Sequence, residues 1–310
     1  MTTGTAFTEE RERKNLLLLM NPRAGTMQAS KYLSEIVQMY SDAGYLTTVL
    51  MTRERGDGRR FAMRYAAAAD VVVVVGGDGT LNGVLDGLIS SGVDVPVGYI
   101  PSGSTNDFAA GIGLPKSIPA AAERIVTGTP KTFDLGSFNG RHFSYVASFG
   151  AFASTSYKVP QNLKNIMGHN AYILQGMRDV FDIRPVSVRI VADEGTPEEH
   201  RCEGDYVFGA VCNSTSVGGV LRLNPSDINM NDGKMEVLLI RTPSNLLELN
   251  DIVRALLDQK LDAADIEFFR ARTLRITMEH AVPWTLDGEY EAGAPEIKIE
   301  TIQSAFRLIV

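Results

Sequence analysis

The chain has 310 residues, a formal net charge of -7 and 44% apolar residues. That length allows two domains, and the apolar share supplies an ordinary globular core. The acidic balance argues against a protein whose main task is coating nucleic acid, so no nucleic-acid partner is expected.

Cys202 and Cys212 are the two cysteines. They make neither a disulfide framework nor a zinc-type spacing, and read as ordinary thiols of a cytosolic protein. Residues 1–14 are polar and charged and do not resemble a signal peptide. The longest apolar runs, 16–20 and 71–75, fall far short of the roughly 18 residues that span a bilayer. The expected location is the cytoplasm, with any membrane contact peripheral, at the inner face.

Strands and helices are expected to alternate at first. Residues 16–20 form a short continuous apolar run, as in a strand covered on both faces. Asn21-Pro22-Arg23-Ala24-Gly25 breaks it. Residues 31–43 have helical spacing and stop at Gly44. Residues 46–51 read as strand, 58–69 as helix, and the five valines 71–75 as a buried strand. Helix is expected at 80–89, strand at 95–100, and helices at 106–111 and 120–126. This alternation predicts a Rossmann-like parallel sheet covered by helices.

Near residue 130 the pattern changes, which places a boundary between 1–130 and 131–310. Residues 133–138 and 142–149 flank Asn139-Gly140, a type I′ hairpin signal. Further strands are expected at 186–191, 206–212, 235–240, 274–278, 284–286, 296–300 and 306–310, with helices at 163–181 and 246–256. The second domain is expected to be an antiparallel β-sandwich, with the active site in the cleft between domains. Whether the last strand returns to the first domain stays open.

Val71–Val75 runs into Gly76-Gly77-Asp78-Gly79-Thr80. Glycine permits close backbone approach to a ligand, and successive N–H groups at a helix start favour an anion. A carboxylate among those donors makes sense chiefly with Mg²⁺ beside phosphate. Thr80 can cap the helix or touch phosphate. A Walker loop is excluded by the missing Gly-Lys-Ser/Thr, and the dinucleotide fingerprint by a glycine, Gly83, that comes one place late. A plain strand–helix turn with a capping Asp is the bland alternative.

Four motifs together resemble the bacterial diacylglycerol kinase-like lipid kinases, related to sphingosine kinases and NAD kinases. They are Asn21–Gly25, Gly76–Thr80, Pro101-Ser102-Gly103-Ser104-Thr105-Asn106-Asp107-Phe108-Ala109 and Asp287-Gly288-Glu289. The resemblance implies an ATP-dependent kinase acting on a lipid alcohol, diacylglycerol first, and so a place in phospholipid biosynthesis. It implies a nucleotide site lined by Asn21, Pro22, Arg23, Ala24, Gly25, Thr52, Gly76, Gly77, Asp78, Gly79, Thr80, Leu81, Asn82, Gly83, Ser104 and Thr105. Thr52 reads equally as a turn residue, and Ser104 and Thr105 as helix caps. Gly83 departs from the family, where Glu is common.

Asp78, Asp107, Asp134 and Glu289 are the carboxylates grouped around the reaction. Glu289 resembles the family's general base, and Asp287 is the second candidate. Alone, Asp287-Gly288-Glu289 is a hairpin turn signal, and Asp134 reads equally as a strand edge. Asn229-Met230-Asn231-Asp232-Gly233-Lys234 looks like the family's structural Mg²⁺ loop, with the Asp232 carboxylate and the Asn229 and Lys234 carbonyls as ligands. It is also a common turn sequence.

Residues 158–168, with Lys158 and Lys164 among apolar side chains, read as a membrane-facing stretch or as a solvated helix. The alternatives to a lipid kinase are an NAD kinase-like enzyme with a soluble substrate and a catalytically silent nucleotide-binding protein. A homodimer is left open.

Overall fold

The structure is a computed structural model and describes residues 13–150, 185–217, 221–222 and 228–310. The expected helix at 163–181 and the stretch 158–168 lie outside these residues.

Four strands, β1 (Lys14–Met20), β2 (Tyr45–Met51), β3 (Val71–Gly76) and β4 (Val97–Pro101), lie parallel in the order β2-β1-β3-β4. β3 is the most buried of them, with Val72–Val75 wholly shielded. Five β-branched residues suit such a position because each face of the strand packs on helices. On one face lie α2 (Asp57–Tyr65) and α3 (Asp78–Ser91); on the other lie α1 (Leu33–Asp42) and α5 (Ile118–Thr127). A short α4 (Asp107–Gly111) follows β4.

Parallel pairing puts the C-terminal ends of β1, β2, β3 and β4 on one edge of the sheet. The loops starting at Asn21, Thr52, Gly77 and Ser102 therefore gather on that edge, where open α/β sheets bind ligands.

The second part is antiparallel. It contains β5 (Pro130–Phe138), β6 (Arg141–Phe143), β7 (Val146–Gly150), β8 (Val186–Ala192), β9 (His200–Cys212), the short pair β10 (Ser216–Val217) and β11 (Leu221–Arg222), and β12 (Met235–Arg241). After α6 (Leu246–Leu257) come β13 (Ile266–Ala271), β14 (Thr273–Met278), β15 (Trp284–Leu286), β16 (Glu289–Glu291) and β17 (Glu296–Ile309). Its core centres on Trp284, which packs against Phe138 and Phe149 with ring centres 5.0 and 4.8 Å away. The observed class is the expected one: a parallel, helix-covered sheet followed by an antiparallel β domain.

Several details differ from the sequence reading, three of them at strands. β13 was not expected. The strand expected at 142–149 is split, because the N–H groups of Ser144, Tyr145 and Val146 turn to the Asp287 carboxylate. The two strands expected at 296–300 and 306–310 are one strand, β17, with a register shift between Ile302 and Phe306. Ser304 takes φ +51° at that irregularity. β17 pairs with β14 and β5, and its Leu308 lies beside Val97 of β4. One long strand thus joins the two halves of the sheet.

Candidate active site

β3 ends at Gly76, Gly77 is the extended N-cap residue, and α3 opens on Asp78. The helix starts two residues earlier than its apolar pattern predicts, so Asp78 sits in its first turn. A carboxylate there is favoured by the helix dipole. Leu81 points away from the loop and is fully buried in the core, so its side chain is unavailable to a nucleotide. Asn82 is buried as well.

The loops of the shared edge touch through backbone. A Cβ on Gly103 would come 2.5 Å from Gly77 Cα. One on Gly25, which adopts φ +52°, would come 2.4 Å from the Ser102 carbonyl oxygen. Only glycine allows both approaches. Asn21 Nδ2 donates to Thr80 Oγ1 at 3.2 Å, and Asn21 Oδ1 accepts from the Arg23 N–H. The Thr52 N–H donates to the Met20 carbonyl, which fixes the third loop beside the first. Pro22 is half-buried, Ala24 buried and Arg23 exposed.

Ser104 and Thr105 are exposed and do not cap α4. The N-cap is Asn106, in the left-handed region, and its amide closes on the Gly103 N–H and carbonyl. Gly83 faces the backbone of Arg59 on α2, with 3.8 Å of room for a Cβ.

Asp78 and Asp107 are both buried. Asp78 Oδ2 accepts from the Asp107 N–H at 2.9 Å, and Oδ1 from the Tyr99 hydroxyl at 3.3 Å. Burial, with the charges of Asp107 and Asp287 nearby, pushes the Asp78 carboxyl up to about 7. Glu289 overhangs this loop: its Oε1 lies 3.1 Å from where a Cβ on Gly79 would stand. Two guanidinium groups hold Glu289 Oε2, Arg55 at 2.8 Å and Arg141 at 3.0 Å. Arg141 also pairs with Glu291.

The Arg55 loop is itself anchored. Asp57, buried at the start of α2, accepts from the Arg53 and Glu54 N–H groups and from Arg60. Those bonds hold its carboxyl below the usual range. Sequence reasoning missed Arg55 and Arg141, because each acts on Glu289, a partner set by the fold, and it also missed Asp57, whose partners lie within four residues. Asp57 alone has a local signal, as an acid in the first turn of a helix.

Asp287 does not share Glu289's exposure. It occupies the turn between β15 and β16, with φ +51° followed by Gly288 at +80°. Its carboxylate accepts from the N–H groups of Ser144, Tyr145 and Val146 at 2.6, 2.9 and 3.1 Å, and from the Ser144 hydroxyl at 2.9 Å. All four donors are thereby satisfied in a buried place, so the side chain is committed to holding the β6–β7 break.

Asp134 is placed elsewhere. Its carboxylate accepts from the Gly233 N–H at 2.6 Å and the Ser304 N–H at 2.7 Å. Its charged neighbours are Asp232 and Arg272, whereas those of Asp78 are Asp107 and Asp287. It pins the irregularity of β17 to the loop before β12.

In that loop, the Asp232 carboxylate accepts from the Lys234 N–H at 3.0 Å and meets Arg270 at 3.3 Å. The Asp232 carboxylate, which with the Asn229 and Lys234 carbonyls would hold a cation, thus already lies against these two donors. Beside it, Glu236 is wholly buried and neither carboxylate oxygen has a hydrogen-bond partner. Burial pushes its carboxyl from 4.5 up to about 8. Between those values the folded chain keeps a proton that the unfolded chain has released, so stability falls as pH rises. Glu236→Gln is therefore expected to gain stability relative to the parent as pH rises from about 5 to 9, by up to about 5 kcal/mol. Thermal denaturation at several pH values checks this; a difference that does not change with pH rejects it.

Residues 15–138 match the Diacylglycerol kinase catalytic domain, and residues 146–310 the YegS C-terminal NAD kinase beta sandwich-like domain. A diacylglycerol kinase of Bacillus subtilis is 31% identical over 285 residues, covering 91% of this chain and 92% of that protein. One from Staphylococcus aureus strain MRSA252 is 29% identical and covers 91% and 88%. The crystal structure of a diacylglycerol kinase from Bacillus anthracis superposes with a TM-score of 0.75 at 22% identity, covering 96% of this chain and 97% of that one. A further Bacillus anthracis structure reaches 0.78 at 24% identity, covering 96% and 97%.

The catalytic-domain match and the curated relatives define a lipid kinase. The chain belongs to the diacylglycerol kinase family.

Proposed function

We propose that the protein transfers the γ-phosphoryl group of ATP to a lipid hydroxyl, diacylglycerol being the first candidate and phosphatidic acid its product. The observation that carries this reading is Glu289 Oε1, poised over Gly79 at the start of α3. In this reading the phosphates lie along the N–H groups of Gly77, Asp78 and Gly79, next to the exposed hydroxyls of Ser104 and Thr105. Glu289 takes the proton from the acceptor hydroxyl as its oxygen attacks the γ-phosphorus. Arg141 orients Glu289 from the second domain, and Arg55 does so from the first.

The donor set around Asp78 fits Mg²⁺. Asp78 and Asp107 are buried carboxylates whose oxygens would suit a hard cation, and burial, with the charges of Asp107 and Asp287 nearby, raises the Asp78 carboxyl. The ion, when bound, screens the charge of the phosphates. Contact with a membrane surface follows from a lipid acceptor; among the described residues no helix is long and apolar enough to cross a bilayer.

The test is transfer of labelled phosphate from ATP to a panel of lipids and to NAD, with and without Mg²⁺. Glu289→Gln is expected to lower kcat about 10²–10⁴-fold while leaving the melting temperature unchanged, since its carboxylate is partly exposed. Transfer to NAD alone, or full activity in the variant, overturns the reading.

A further inference from the structure

On β9, residues 200, 202, 204 and 206 share one face by strand alternation. This row reads His200, Cys202, Gly204, Tyr206. Glu267 of β13 reaches the same place. The ligand atoms of His200, Cys202 and Glu267 lie within 4.8 Å of one another. Among the described residues it is the one group of three or more His, Cys, Asp or Glu side chains that converges so closely. None of the three belongs to the phosphate site described above.

The surroundings prepare the carboxylate. Tyr206 donates to Glu267 Oε1 at 2.7 Å, and Arg241 donates to the same oxygen. Oε2 is not engaged by either donor. Gly204 makes room for this arrangement, since a Cβ there would meet Arg241 Nη1 at 2.6 Å. The His200 ring packs against Phe269 of β13, with centres 4.4 Å apart. Two candidate ligands are thus set two residues apart on a rigid strand, and the third is oriented by a hydroxyl and a guanidinium.

We propose that His200, Cys202 and Glu267 form a site for a borderline-soft divalent metal ion, zinc being the one that fits. Imidazole nitrogen, thiolate sulfur and carboxylate oxygen are the donors zinc takes, and three protein ligands leave one position open. Magnesium and calcium are disfavoured by nitrogen and sulfur donors. Binding replaces the thiol proton, which leaves to solvent, and ties β9 to β13. The Tyr206 and Arg241 bonds to Oε1 act as the outer contacts that orient a metal-bound carboxylate.

The test titrates the full-length, chelator-treated protein with Co²⁺ and follows the near-ultraviolet thiolate-to-cobalt charge-transfer band. One equivalent of Co²⁺ is expected to raise the band to saturation. Zn²⁺ abolishes it and excess Mg²⁺ leaves it in place. Cys202→Ser removes the band, whereas Cys212→Ser, altering a fully buried thiol, retains it. Tyr206→Phe weakens affinity on the order of tenfold. His200→Ala, which changes an exposed residue, keeps the test decisive should a core substitution fail to fold, and is expected to weaken Co²⁺ binding at least tenfold. Absence of the band in the parent, or an unchanged band and affinity in Cys202→Ser and His200→Ala, overturns the site.

Discussion

Asp78→Asn is expected to lower phosphoryl transfer by about 10³-fold or more, with the fold intact. Asp78 stands in the first turn of α3, and its carboxylate is bonded by the Asp107 N–H and the Tyr99 hydroxyl. An amide keeps the shape but removes the charge on which a divalent ion depends. The same change should leave the melting temperature at pH 8 equal to or above that of the parent. The reason is the sign of the linkage. The folded carboxyl is pushed from 3.8 up to about 7, so the parent loses stability as pH rises through that interval. Asn has no charge to bury. Single-turnover assays and thermal melts of one preparation measure both effects. Activity within tenfold of the parent would remove Asp78 from the reaction.

Asp287→Ala is expected to behave in the opposite way: it should destabilise the protein by about 3–5 kcal/mol, because the substitution strands buried donors. Four donors converge on this carboxylate from the β6–β7 break, and the residue is buried in the hairpin turn that presents Glu289. Chemical denaturation measures the loss. Activity falls with it, as Glu289 loses its platform. A stable Asp287→Ala protein with normal ATP affinity and no turnover would instead make Asp287 part of the chemistry. The contrast with Glu289→Gln separates the two acids of one tripeptide.

The glycine-rich loop was legible because its signals are local. Five valines specify a strand covered on both faces, and two glycines end it. The order of parallel strands then gathers the loops at Asn21, Thr52, Gly77 and Ser102 on one edge. The hairpin at Asn139-Gly140 was legible for the same reason: both residues take positive φ, at 47° and 87°, as a type I′ turn requires.

The roles of buried acids were not legible. Asp134 and Asp287 are equivalent letters in a sequence, yet each accepts backbone N–H groups that only the fold brings near. Asp287 and Ser144 are 143 positions apart, and Asp134 and Ser304 are 170. The irregularity at Ser304 hid the unity of β17 for a similar reason: a strand interrupted by one left-handed residue reads as two strands and a loop. β13 was missed because Phe268-Phe269 breaks the alternation that marks a half-buried strand. The convergence of His200 and Cys202 with Glu267 also escaped, since the third side chain arrives from a distant strand.

The sequence by itself determined the glycine-rich turn after β3, the two-part architecture and the kinase family, because periodicity and short motifs encode local backbone geometry and resemblance. The tertiary structure decided which carboxylates gather at the glycine-rich loop and which are bound to backbone donors elsewhere. It set Glu289 over Gly79 with Arg55 and Arg141 around it, and it gave Asp287 and Asp134 to backbone donors. A carboxylate's task depends on the donors and burial around it, and those come from residues far away in the chain.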